Sequence, residues 1–237
     1  MTGLEVPAAP EAASGPEPET GQPESQSPGP VPWEDPERPR LPGFFQTLGE
    51  ILRRPAAFFA LPARGGPAEP LAFGLIMGTA GSLLALFWWV LLLVAAGPGV
   101  KSVLAMAKLA DLGWGPVALV MALTPLTVLT KLVLGSLCLW GAAALLGTRV
   151  EWVVVWRILC YATAAMVLAV APFLGAPLAG LLGLFLIHQG LQGSLGMSFG
   201  RALGALAVFL ILQILTWMVL LGGFLALLAL LGLLFLG

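Results

Sequence analysis

Five side chains, Lys131, Arg157, Tyr161, His188 and Ser198, are of kinds that do chemistry and stand in a largely apolar background. Gly196-Met197-Ser198-Phe199-Gly200 repeats the Gly-x-Ser-x-Gly spacing of a hydrolase nucleophile elbow, and the only histidine, His188, lies ten residues earlier. Such an elbow presents its serine on a sharp strand-to-helix turn and needs a base oriented by an acid. The flanks here are long apolar runs, and beyond Glu69 the only acids are Asp111 and Glu151. The pattern is therefore expected to be a loop between helices, and the chain is read as non-enzymatic. A metal centre needs several nitrogen, sulfur or carboxylate ligands. One histidine, with Cys138 and Cys160 inside apolar stretches, gives no such set, so neither metal nor cofactor is expected.

Lys131 falls near the middle of an apolar segment, where an ammonium costs about 2.5–3.5 kcal/mol. Two readings compete. A permease or channel would use it in a polar path with Arg157, Tyr161 and His188. Alternatively, a long helix displaced along the membrane normal would let it snorkel to a surface. Arg157 and Tyr161 are one helical turn apart, which puts both on one face. With Glu151, Arg157 reads as an anchor at the membrane interface. His188, Gln189 and Gln192 gather near the end of the next apolar run and read as interhelical hydrogen-bonding groups.

These residues need helices to hold them. About 20 apolar residues cross roughly 30 Å of hydrocarbon, and five stretches qualify: about 71–96, 116–146, 152–170, 174–191 and 203–235. The third and fourth form a hairpin around Ala-Pro-Phe-Leu-Gly-Ala-Pro (171–177), in which Gly175 is expected to supply the permissive φ of the reversal. The second is about 46 Å long if wholly helical, and Pro125 is expected to kink it. Gly74, Gly78 and Ser82 form a ladder of small residues for close helix approach.

Apolar residues make up 59% of the chain and charged ones 10%, against about 25% charged in soluble domains. That is a membrane composition. No basic field exists for a nucleic acid, and the partners expected are the bilayer and other membrane proteins or further copies of the chain. Residues 1–32, rich in Pro, Glu, Gly and Ser, bury too little to order themselves and read as a disordered tail. Residues 33–64 hold Pro32-Trp33-Glu34-Asp35 at their border, then an amphipathic stretch with Phe44, Phe45, Leu48, Ile51 and Leu52 on one side and Gln46, Glu50, Arg53 and Arg54 on the other. Pro55 interrupts it. This pattern reads as a helix on the membrane surface, competing with a helix packed over the ends of a bundle. Arg38, Arg40, Arg53, Arg54, Arg64, Arg149 and Arg201 flank one side of the spans, and Lys101 and Lys108 the other. The bias places the N-terminus in the cytoplasm and, with five spans, the C-terminus opposite. High Ala, Gly, Leu and Pro, with Arg favoured over Lys, fits a GC-rich bacterial gene and an inner-membrane location.

The Pro-Trp-Glu-Asp box, the two Phe-Phe pairs flanking an Arg-Pro step (44–59), five spans, Arg157 with Tyr161-Ala162, Pro172 and Gly175 in the turn, and Gly190-Leu191 leading to Ser198 and Arg201-Ala202 together resemble the bacterial branch of the Yip1 domain family. The resemblance covers residues 32–237. It departs at Ala165, where members often carry Pro, and in lacking a zinc ribbon. It implies an all-helical five-span bundle over residues 65–237 that serves as a scaffold or adaptor in membrane organisation. The binding surfaces would be the Trp33–Phe59 segment and the loop from Ser198 to Arg201.

Overall fold

The computed structural model describes residues 30–62, 66–95 and 115–236, the last ten of these by backbone alone. The tail up to residue 29, Arg64, Lys101, Lys108 and Asp111 lie outside the described residues. Among those described, the chain is all-helical. Its seven α-helices are α1 (Arg40–Arg53), α2 (Pro55–Phe59), α3 (Ala68–Ala95), α4 (Gly115–Leu145), α5 (Trp152–Ala162), α6 (Gly175–Leu195) and α7 (Phe199–Leu236), and a 3₁₀ segment (Thr163–Val170) continues α5. Five apolar stretches, in α3, α4, α5 with its 3₁₀ continuation, α6 and α7, are long enough to cross a bilayer. The protein is a multi-pass membrane protein.

The spans pack antiparallel through glycines. A Cβ on Gly78 would stand 2.6 Å from Val128 of α4, and one on Gly74 would stand 3.2 Å from the Cα of Cys160. Ser82 is not the third rung. Gly81 takes that place, its absent Cβ making room for Met166 of the 3₁₀ segment at 2.5 Å. Gly190 does the same between α6 and Ile158 of α5. Bare backbone lets these helices meet at distances a side chain would forbid.

The change from α to 3₁₀ at Thr163 was not legible in the sequence. Its eight residues rise about 2.0 Å each, so with the eleven of α5 at about 1.5 Å each the third span reaches roughly 32 Å. Nineteen residues wound wholly as α would reach about 28 Å. The tighter winding thus lengthens a short span to match the hydrocarbon, and the buried Ala164, Ala165 and Ala169 keep its cylinder slender between α3 and α6.

At the hairpin turn the positive φ belongs to Phe173 (61°), not to Gly175. Gly175 is needed for space instead, because a Cβ there would collide with the Leu168 carbonyl. The fourth span runs on to Leu195, four residues past its expected end, and Gly196 stops it in the left-handed conformation (φ 61°). Pro125 lies inside α4 without ending it, and the hydroxyls of Thr124, Thr127 and Thr130 donate to backbone carbonyls of the neighbouring turns.

Residues 31–61 fold as a unit on one end of the bundle. The chain breaks between α1 and α2 at Arg54 (φ −141°, ψ 61°), since a residue before proline is driven out of the helical region. Phe44 and Ile51 of α1 and Phe58 and Phe59 of α2 are buried in the common core. The expectation of a helix whose whole apolar side meets lipid is corrected here: the seam through Phe44, Thr47 and Ile51 faces protein. A second seam, Leu41, Phe45 and Leu52, remains exposed.

Candidate functional site

The end of the bundle opposite the N-terminal unit carries an apolar cleft of about 310 Å³ between Trp88, Trp89, Phe173 and the hairpin turn, lined by no titratable side chain. The groups with chemistry lie at the other end. Arg157 and Tyr161, one turn apart on α5, both point at a carboxylate from the N-terminal unit. Arg157 Nε donates to Glu34 Oε1 at 3.1 Å, and the Tyr161 hydroxyl donates to the same oxygen at 2.8 Å. Arg157 Nη1 donates to the Leu61 carbonyl at 3.1 Å, and the guanidinium lies 5.7 Å from the Tyr161 ring centroid. The ion pair is secluded, with side-chain exposures of 9% for Arg157 and 2% for Glu34. Arg157 is therefore no interfacial anchor but half of a buried latch. The far atoms, Glu34 Oε2 and Arg157 Nη2, are buried without protein partners.

Local structure explains why Glu34 arrives there. The amide of Trp33 donates to Thr47 Oγ1 at 2.9 Å, and its indole Nε1 donates to the Glu69 carbonyl at 2.7 Å. Gly43 leaves room for the Pro32 carbonyl, 2.7 Å from where a Cβ would be. The Trp33 ring meets Phe44 edge-on at 5.6 Å and Phe73 at 6.4 Å. Phe58 and Phe73 then stack around Tyr161, each 5.1 Å away. On α2, the Phe59 carbonyl accepts from the Ser194 hydroxyl of α6 at 2.7 Å, and Gly193 gives the approach its space. Trp33 and Phe44, expected as interaction residues, are thus core residues that seat Glu34. Phe45, Arg53 and Arg54 stay exposed and line a shallow surface groove with Gln46, Gly49 and Glu50. Partial burial pushes the Glu50 carboxyl up, while Arg38 pulls it back.

The other expected residues do not join this cluster. Ser198 and Arg201 are exposed in and after the α6–α7 turn. The elbow-like spacing there is a helix stop at Gly196 followed by a helix start at Phe199, with no sheet among the described residues. His188 is buried, its ring 4.9 Å edge-on from Phe199 and its Nε2 unpartnered. The interhelical hydrogen bonds expected of His188, Gln189 and Gln192 are not formed among the described residues. Lys131 is exposed on α4, apart from the latch. Thr124, Val128, Gly135 and Cys138, on the same helical stripe, are all buried.

Glu34 is the functional residue that sequence reading passed over. The signal was available: Glu34 sits in the box around Trp33, and Arg157, an arginine inside the third span, called for a carboxylate partner. Groups of three or more metal-ligating side chains are absent among the described residues. The arrangement holds a carboxylate between a cation and a phenol, and so fastens one part of the chain to another. Comparison of the chain with protein-family models, curated proteins and solved structures finds no match.

Proposed function

We propose that the protein is a non-enzymatic membrane scaffold or adaptor of Yip1 type, with its N-terminal unit on the cytoplasmic side of a bacterial inner membrane. The observation that carries this reading is the latched N-terminal unit. The buried Glu34–Arg157 pair and the aromatic seat around Tyr161 hold α1 rigidly, so that Leu41, Phe45 and Leu52 and the flanking Arg53 and Arg54 face outward as one apolar and basic surface. A solute path would instead bring its charged groups to one lumen, whereas Lys131 stands on another face of the bundle from Arg157 and Tyr161.

The test compares wild type with a Phe45→Ser/Leu52→Ser/Arg53→Ala/Arg54→Ala variant. Both are purified in mild detergent, bound proteins are identified by mass spectrometry, and solute and ion flux is recorded in proteoliposomes. The expected result is a set of membrane proteins retained by wild type and lost from the variant at unchanged thermal stability. Reproducible flux through the wild type, lost in Lys131→Leu with stability unchanged, would sink the adaptor reading in favour of a permease or channel.

A further inference from the structure

The N-terminal unit lies beside the spans rather than across their ends. Phe44 of α1 packs on Phe73 of α3 with ring centroids 4.9 Å apart, and Phe73 comes five residues after the first of α3, or about 7.5 Å along it. α1 also touches the 3₁₀ segment that continues α5. Round the axis of α1 the side chains divide into three sectors. Phe44, Thr47 and Ile51 face protein and are buried. At about 100° per residue, Leu41, Leu52 and Phe45 follow on one flank, within about 40° of one another, and they are 72%, 38% and 64% exposed. Gln46, Gly49 and Arg53 come next round the helix. An apolar stripe set between a protein face and a polar face is unfavourable in water and is relieved where acyl chains cover it.

The polar sector holds charge that the protein does not cancel. Arg38 donates to Asp35 and Gln46, Arg40 to the Trp33 carbonyl and Arg157 to Glu34. Among the described residues, Arg53 and Arg54 pair with no carboxylate. With Phe45 and Glu50 they line the surface groove, of about 530 Å³. Glu50 is the one acid in that lining, against two arginines, and partial burial pushes its carboxyl up while Arg38 pulls it back. Two guanidiniums without a protein acceptor, beside an apolar stripe, match a headgroup phosphate whose acyl chains run along that stripe.

We infer that α1 is a lipid-binding element: Leu41, Phe45 and Leu52 are seated in the acyl chains of the near leaflet, and the groove at Arg53 and Arg54 takes the headgroup phosphate of an anionic phospholipid. The inference rests on the reading of this outer face as a binding surface and gives that surface a lipid occupant. The Glu34–Arg157 latch then sets the depth at which α1 rides.

The test uses the full-length protein with an environment-sensitive NBD label on Leu41→Cys or Leu52→Cys, and on the exposed Glu37→Cys as a control. Cys138 and Cys160 are buried and stay in place, with the otherwise unsubstituted protein giving the labelling background. Each is reconstituted at low protein-to-lipid ratio in vesicles of phosphatidylcholine, with or without phosphatidylglycerol. Labels at positions 41 and 52 should be quenched by lipid carrying a nitroxide on the upper acyl chain and shielded from iodide, and the label at position 37 should show the reverse. Nitroxide-labelled phosphatidylglycerol should quench position 52 with an apparent affinity about fivefold that of labelled phosphatidylcholine, the worth of one net guanidinium. Arg53→Gln/Arg54→Gln should abolish that preference at unchanged thermal stability while acyl-chain quenching persists. Iodide access at positions 41 and 52, equal quenching by the two lipids, or a preference that survives the double substitution would overturn the proposal. So would shielding from both iodide and acyl chains, since a second copy of the chain would then cover the stripe. Retention of partner proteins in detergent plays no part in these readings, so failure of the adaptor reading and failure of lipid binding are told apart.

Discussion

Arg157 and Glu34 illustrate how a buried charge is tolerated in an apolar bundle. Each is secluded from solvent, and the guanidinium directs its donors to Glu34 and the Leu61 carbonyl. Removing one partner leaves the other stranded, which costs about 3–5 kcal/mol, whereas replacing both by apolar groups of similar size is often neutral. Glu34→Leu and Arg157→Met should each lower the thermal unfolding temperature in detergent strongly, and the double substitution should restore most of it. Losses that simply add in the double variant would mean that the two side chains act independently. Phe173 offers a smaller test. A bulky residue in the left-handed region carries roughly 1–2 kcal/mol of backbone strain, so Phe173→Gly should be neutral or stabilising in detergent despite the lost ring.

At the scale of elements, glycine spacing decides which helices touch. Gly175→Ala places a methyl group against the Leu168 carbonyl, which is backbone and cannot rotate away. The substitution should destabilise the hairpin by several times the usual 1 kcal/mol of a point mutation, read as a lowered unfolding temperature. Gly180→Ala, on the same helix with open space around it, should be neutral or mildly stabilising. If both behaved alike, helix propensity rather than close approach would govern the turn. The 3₁₀ segment belongs to this scale too: alanines and β-branched residues do not announce it. It arises because α3 and α6 press on both sides of a span that must still cover the hydrocarbon.

For the whole molecule, the distribution of Lys and Arg between the two sets of flanks makes a topological prediction. Reporter fusions after Pro30 and at Gly237 should report the cytoplasm and the opposite side. Both ends on one side would refute the orientation proposed above. The sequence alone determined the class of molecule, since five apolar stretches of sufficient length leave a chain no other solvent than a bilayer. It also placed the span boundaries within a few residues, the break at Pro55 and the pairing of Arg157 with Tyr161 on one face, because each follows from local chemistry or helical period. Which carboxylate meets Arg157 and which seam of α1 faces protein were decided by tertiary structure. Glu34 and Arg157 are separated by 123 residues, and no local rule ties such distant groups. The aromatic seat that joins them exists only once α1, α2, α3 and α5 have packed together.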